Sequence, residues 1–386
     1  MMDNNTIIYF GNPCYPDKDA SAHRTLGNAK ALRDLGYKVV LIGCRSEEKR
    51  RILETKETFD GFDIYYFEEP KTISHWAGYL FGFLPLKELL SNFDVSSVIL
   101  YNHPAISSEH ILSYCHKRNI KVYADCTEWY DPRGYSFHSL IKKADTWYRM
   151  KQVNKRLDGI IAISSYLQDY YKGKNCTTIC VPPLVDLGSE KWARDNDASS
   201  IIHEQTNLIY VGNPGTGAKD KLDIIITALR HIRNTHPDLS FHLNVIGMSE
   251  MQFKDAFKMD LEDCGFVSFL GRRPNPEALT MIKQSDFSVF LRDANLVCTA
   301  GFPTKFSESI ACGTPVLTNI TSDIGKYLIE GENGYIIDTT SFETICSTLS
   351  QALTTSSERI SGMKDYCRRD RTFDYHSFIN EFDKLF

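Results

Sequence analysis

The sequence predicts an α/β protein built as two doubly wound, parallel-sheet domains in tandem. Three observations carry this. Short β-branched and aromatic runs alternate with helical patterns, the alternation stops once near the middle of the chain, and it then starts again. The length agrees, because 386 residues exceed one ordinary core and suit two of about 150 to 200 residues each.

In the first half the runs TIIYFG (6–11), KVVLIG (38–43), FDIYYFE (62–68), SSVILYN (96–102), KVYAD (121–125) and GIIAIS (159–164) have strand length and composition. Helical patterns at 21–36, 105–118 and 138–156 separate most of them, as a parallel sheet covered on both faces requires. The first helix ends at Gly36 in ALRDLGYK, where a left-handed C′ glycine is expected. The stretch VPPLVDLGSEKWARDNDASSIIHEQT (181–206) interrupts the pattern with two prolines and a polar run, and 187–206 reads as the interdomain linker. A second series follows: NLIYVG (207–212), FHLNVIG (241–247), FVSFLG (266–271), FSVFL (287–291), PVLTN (315–319) and GYIID (334–338). The domains expected are thus 1–186 and 207–365, with an amphipathic C-terminal segment over 366–386.

Charge and cysteine content narrow the function. The net charge is −5, with 24 Lys/Arg against 22 Asp/Glu in residues 1–186 and 20 against 27 in the rest, which argues against a nucleic-acid partner. Eleven cysteines stand singly, without Cys-x-x-Cys or His/Cys ligand spacing, so a reduced compartment and no structural zinc are expected. No basic and apolar leader opens the chain and no apolar run nears the roughly 18 residues of a membrane span, which favours the cytoplasm. No Asp-x-Asp pair stands at a strand end, so neither a metal nor another cofactor is expected; the DND at 195–197 lies in the linker.

Anion-binding chemistry concentrates in the second half. In YVGNPGTGAKDKLDIIITAL (210–229), Gly212, Gly215 and Gly217 allow close backbone approach, and Lys219 and Lys221 bring charge to a helix start. The spacing is neither a P-loop nor a dinucleotide fingerprint, and a plain strand-to-helix loop with solvated lysines serves the same residues. The stretch GFPTKFSESIACGTPVLTNITSDIGKYLIEGENGYII (301–337) is more specific. It resembles the nucleotide-sugar site of family 4 retaining glycosyltransferases, whose members have the GT-B fold of two Rossmann-like domains facing a central cleft. Gly301 and Phe302 match the family's Gly-Phe pair, Glu308 its helix-opening glutamate, Ala311–Val316 its helix end and GENGYII (331–337) its tail.

The resemblance implies a donor site containing Gly212, Asn213, Gly215, Lys219, Arg272, Arg292, Gly301, Phe302, Pro303, Thr304, Lys305 and Glu308. A diphosphate needs cations, for which Lys219 is the first choice and Lys305 and Arg292 the others; a ribose offers two hydroxyls that Glu308 can accept together. The chain departs from the family pattern at Ala300, where a second glutamate is usual, and at Asn213, where an arginine is common. In the first half the resemblance implies that Gly11, Asn12 and Arg24 approach the donor and that Asn102 and His103 lie near the sugar or acceptor. A lone histidine is also often structural. Asp125, Glu128 and Asp131 cluster with Trp129 and Tyr130, the combination of carboxylates and aromatic faces a sugar acceptor uses. His103, Asp125, Glu128 and Glu308 are the candidates for chemistry, and Asn102, Glu128, Trp129 and Tyr130 for acceptor binding.

The resemblance therefore implies a retaining, metal-independent transferase taking a nucleotide sugar, a UDP-sugar before a GDP-sugar, to a glycan or lipid-linked acceptor in bacterial surface polysaccharide assembly. It also implies that the last helix crosses back to the first domain. The aromatic stretch HWAGYLFGFLPLKELL (75–90) and the basic one SLIKKADTWYRMKQVNKRL (139–157), which carries Lys142, Lys143, Arg149, Lys151, Lys155 and Arg156, suit an anionic membrane surface on the inner face; a core helix beside an exposed charged one is the plainer reading. A nucleotide-sugar 2-epimerase and a non-catalytic partner subunit share the architecture, while a dinucleotide oxidoreductase lacks its fingerprint here.

Overall fold

A computed structural model describes residues 5–16, 18–46, 51–130, 137–174, 176–192, 205–214 and 219–386. The chain divides into two units: Met1–Val185 with Ala300–Phe302 and Tyr375–Phe386, and Asp186–Thr299 with Pro303–Asp374.

The first unit is built on eight strands: β1 (Thr6–Phe10), β2 (Lys38–Arg45), β3 (Glu57–Phe59), β4 (Phe62–Glu68), β5 (Val95–Tyr101), β6 (Lys121–Cys126), β7 (Gly159–Ala162) and β8 (Thr177–Cys180). Their order is β3-β4-β2-β1-β5-β6-β7-β8, parallel except for the β3–β4 hairpin. The order reverses between β1 and β5, the place where such sheets open a crevice at their carboxyl ends. The strands absent from the sequence reading are β3, all three of whose residues are exposed, and β8, a short edge strand. Neither offers an apolar alternation long enough to read.

The helix Ala20–Asp34 starts where Asp19 accepts a hydrogen bond from the Ala22 amide and ends before Gly36, whose φ of 94° only glycine adopts readily. Its apolar face packs on Ile7, Val39 and Leu41. Residues 375–386 complete this core: the Tyr375 amide donates to Val185 O, the Tyr123 hydroxyl donates to Leu385 O, and Phe382 is wholly buried. The C-terminal segment is not one helix. Ser357–Arg369 belongs to the second unit, a turn follows in which Asp370 accepts from the Thr372 amide, and Tyr375–Phe386, with the short helix Ile379–Asp383, joins the first.

One buried ion pair ties the first unit together, and it corrects two sequence expectations. Asp125, at the end of β6, is wholly buried and accepts from Arg24 Nε at 2.9 Å and Nη2 at 2.7 Å, from the Tyr9 hydroxyl at 2.5 Å and from Asn28 Nδ2 at 3.3 Å. Arg24 Nη1 donates onward to Val181 O and Pro182 O. Arg24 is therefore not a phosphate ligand and Asp125 not a free carboxylate for chemistry. The pair joins β1, the first helix, β6 and the segment after β8.

The second unit carries β9 (Thr206–Val211), β10 (Phe241–Ile246), β11 (Val267–Gly271), β12 (Phe287–Phe290), β13 (Val316–Thr318) and β14 (Gly334–Ile336). The order is β11-β10-β9-β12-β13-β14, all parallel, and it reverses between β9 and β12. The expected linker starts inside this unit: Glu190–Trp192 forms a 3-10 turn, Trp192 is buried, and Lys283 donates to Lys191 O. Residues 193–204, with the DND motif, lie outside the described residues.

Removing one partner of a buried pair strands the other charge, at a cost of about 3–5 kcal/mol. Asp125→Ala should lower the unfolding free energy by about that amount, measured by urea titration, and a loss below about 1 kcal/mol would show that the network is dispensable.

Candidate functional site

The second unit gathers charge where its strand order reverses. Tyr210 lies on β9, Asp220 and Lys221 precede the helix Leu222–Thr235, Arg292 follows β12, and Lys305 lies in the first turn of the helix Thr304–Ala311. Asp220 is the hub. Its carboxylate takes hydrogen bonds from Lys305 Nζ and, at 2.7 Å, from the Tyr210 hydroxyl, while Arg292 Nε stands 3.3 Å away. Burial alone would raise the Asp220 carboxyl, but Lys305, then Arg292, and the two hydrogen bonds outweigh it and hold Asp220 below the usual range. A residue bridge pairs Asp220 with Arg292, and Asn319, past β13, clamps the Arg292 backbone by accepting from its amide and donating to its carbonyl.

This cluster has capacity left for a ligand. Arg292 Nε and Nη1 are both buried without a hydrogen-bond partner, although the side chain is nearly enclosed. Buried guanidinium donors without acceptors are costly and suit an anion. Gly212 turns at φ 139°, and a Cβ there would stand 3.0 Å from Lys305 Nζ, so the glycine lets the cation reach the strand end. Lys305 and Glu308 sit three residues apart on one helix, and the carboxylate's charge reaches the lysine.

Glu308 does not open the helix. Pro303 occupies the N-cap and the first turn holds no acid, so Glu308 lies a turn further in, where the macrodipole contributes little. Lys219, the expected diphosphate cation, is half-buried at the end of a segment, 215–218, that lies outside the described residues together with Gly215. The cation paired with the buried Asp220 is Lys305 instead, its side chain 15% exposed. Asn213 is exposed, and Arg272 follows β11 at the sheet edge, two strands from β9. Pro303 is buried and Thr304 half-buried at the start of the Lys305 helix, whereas Ala300, Gly301 and Phe302 group with the first unit. Asp220, Tyr210 and Asn319 were missed as site residues. The acid beside Lys219 in the AKDKL motif was the available signal.

In the first unit the sequence-derived residues divide. Gly11 is buried, and a Cβ there would meet Tyr101 Cβ at 2.7 Å, so strand packing requires it. The side chain of Asn102 is spent: Nδ2 donates to Thr127 Oγ1 and Oδ1 accepts from the Thr127 amide, stapling the ends of β5 and β6. Trp129 packs edge-on to Tyr170 at 4.8 Å beneath Lys151, and the Tyr130 hydroxyl bonds Glu128. Asp131 lies outside the described residues. Asn12 keeps a buried, unpartnered Oδ1.

His103 is buried between Phe10 and Tyr79. Ser107 donates its hydroxyl proton to Gly82 O at 2.5 Å, so its oxygen accepts from His103 Nε2 at 2.8 Å, which leaves Nδ1 as an unpartnered lone pair. Burial, reinforced by the Arg149 charge, holds the imidazole down to about 3, neutral at ordinary pH.

The basic stretch is not one helix either. Phe137–Tyr148 is helical, Arg149–Val153 widens into a π turn, and Asn154–Arg156 closes as 3-10. Arg149 is thereby turned inward and buried, Lys151 and Lys155 lie against Tyr170, and Arg156 pairs with Glu109. Of the six basic residues of this stretch, Arg149 is buried rather than offered to a surface.

Comparison with known proteins agrees with this architecture. The structure is similar over nearly its whole length to sucrose-phosphate synthase from Thermosynechococcus elongatus, with a TM-score of 0.73 and 14% identity, covering 99% of this chain and 98% of that one. It is also similar to HepE of Anabaena in complex with UDP-glucose (TM-score 0.66, 13% identity, 98% of each chain). WaaG, a glycosyltransferase involved in lipopolysaccharide biosynthesis, gives a TM-score of 0.67 at 14% identity over 98% of this chain and 99% of that one. The fold is GT-B. Residues 205–355, less than half of the chain but including the Asp220 cluster, match the family model of glycosyl transferases group 1. No curated protein matches the sequence.

The depressed His103 value has a sign that can be tested. An unfolded histidine titrates near 6.5, so the neutral folded form contributes stability that is full above about pH 6.5 and is lost as pH falls towards 3, by about 1.4 kcal/mol per unit. Urea unfolding at pH 7, 6 and 5 should show a steeper acid loss for the wild type than for His103→Gln; identical slopes would mean that His103 titrates normally.

Proposed function

We propose that the protein is a glycosyltransferase that takes a sugar from a nucleoside-diphosphate sugar and passes it to a glycan or lipid-linked acceptor. The observation that carries the reading is the pair of largely enclosed cations, Lys305 and Arg292, held on the buried Asp220 where the second sheet reverses its strand order. The matched family and the GT-B fold support the reaction class, and the complex of HepE with UDP-glucose supports a uridine nucleotide.

In this reading the diphosphate enters over Gly212 and takes up the unpartnered donors of Arg292 together with Lys305. Both cations then stabilise charge that develops on the leaving diphosphate, the main contribution such a site makes. The Tyr210 hydrogen bond holds Asp220 while it shares its cations. Glu308, a turn along the Lys305 helix, accepts the ribose hydroxyls. Wholly buried Ala300 offers no carboxylate to the donor sugar, so sugar choice rests on other groups. Retention of configuration, independence of divalent metal and a role in surface polysaccharide assembly follow from the resemblance of residues 301–337 to family 4. A 2-epimerase would turn over donor without acceptor, which one assay with and without acceptor separates.

The acceptor side belongs to the first unit, with Glu128, Trp129 and Tyr130. Among the described residues no helix is long and apolar enough to cross a membrane. Ile73, Trp76, Phe81 and Leu84 are exposed on two neighbouring helices, and Leu140, Ile141 and Trp147 on the helix carrying Lys142 and Lys143. We read these as the face that docks on an anionic membrane surface.

Two measurements check this. Lys305→Ala should weaken UDP binding by about 1.5–3 kcal/mol in calorimetry, and Glu308→Ala should cost about 2–4 kcal/mol in transfer efficiency with the fold intact. Unchanged values for both would remove the assignment. Replacing Lys142 and Lys143 by Gln and Trp147 by Ser should reduce sedimentation with phosphatidylglycerol vesicles at low salt. A wild type that ignores such vesicles contradicts the membrane reading.

A further inference from the structure

The first sheet also reverses its strand order, between β1 and β5, and beside that point lies a second unsatisfied cation. Arg149 is 4% exposed, and its Nε and Nη2 are buried with no hydrogen-bond partner. It forms no ion pair among the described residues; its nearest aromatic face, Tyr130, stands at 6.0 Å from the guanidinium carbon. The π turn that begins at Arg149 is what turns this side chain inward from the basic stretch.

Arg149 lines a cavity of about 10 Å³ with Asn102, His103, Asp125 and Asn154. That is room for one oxygen atom, about the size of a water. Among the described residues, no carboxylate pairs directly with Arg149. Asp125 lines the same space but is saturated by Arg24, Tyr9 and Asn28. Asp145 feels the Arg149 charge without pairing with it, and its Oδ1 accepts from the Ala105 amide. His103 is neutral and presents an unpartnered nitrogen. A guanidinium in such surroundings carries a large desolvation cost unless an anion arrives.

We propose that the first unit binds an anionic substrate oxygen through Arg149, one oxygen of the group seated in the water-sized space and the remainder outside it. The chemistry is that of an oxyanion, phosphoryl or carboxylate, borne by the acceptor and separate from the donor diphosphate on Lys305. This rests on the transferase reading for its role but not for its binding.

The test is thermal unfolding of the full chain saturated with UDP, in phosphate, acetate or chloride at equal ionic strength. Phosphate or acetate should raise the melting temperature of the wild type above its value in chloride, and the larger shift identifies the group. Arg149→Met should lose that shift and, in chloride, melt no lower than the wild type, because it removes a buried unpaired charge. An undiminished shift in Arg149→Met, or a wild-type shift seen only without UDP, overturns the proposal. Should Arg149→Met not fold, Arg149→Lys keeps the charge without the planar fork, and the phosphate concentration giving half the shift should rise about tenfold; an unchanged half-point also overturns it. Failure of UDP to bind, with an Arg149-dependent shift still present, would sink the transferase reading alone.

Discussion

Asp220 decides what the second unit can hold. Without it, Lys305 and Arg292 would face each other at the end of β9 and β12 without their shared counter-charge, and burial would lower the lysine further. With it, the Asp220 charge opposes the burial that lowers Lys305, and the two cations are aimed at one place. Arg292 still has donors to give. The arrangement is preorganised, and preorganised charge needs no rearrangement to meet an anion. The remaining features of the site serve this hub. Gly212 lets Lys305 approach, Asn319 fixes the Arg292 backbone, and Tyr210 anchors Asp220 from beneath.

The two units use a buried carboxylate in opposite ways. Asp125 is saturated by Arg24, Tyr9 and Asn28, so the pair ties strands and helix together and has nothing left for a substrate. Asp220 is shared between two cations, of which Arg292 keeps free donors. The residue types are alike in both clusters. What separates a structural network from a binding one is whether its donors and acceptors balance, and that balance follows from three-dimensional packing.

This is also why the sequence was legible where it was. Twelve apolar runs became strands within a residue or two of their expected bounds because burial on both faces leaves a continuous apolar signature. The short edge strands β3 and β8 lack that signature. Lys305 and Arg292 stood out as charges beside a recognisable motif, whereas Asp220 drew no reading next to Lys219 and became visible only through its partners. Arg24 and Asp125 misled for the same reason: 101 residues separate them, and nothing local says that each consumes the other. The break of the basic stretch at Arg149 was equally hidden, since a π turn carries no local composition that differs from a helix.

The central claim is that a nucleoside diphosphate binds the Asp220 cluster. A crystal structure with UDP tests it most directly. Phosphate oxygens should lie within about 3 Å of Lys305 Nζ and of the Arg292 guanidinium, with both ribose hydroxyls on Glu308. Nucleotide bound elsewhere on the chain, with the Lys305–Asp220–Arg292 cluster unchanged and untouched, would contradict it.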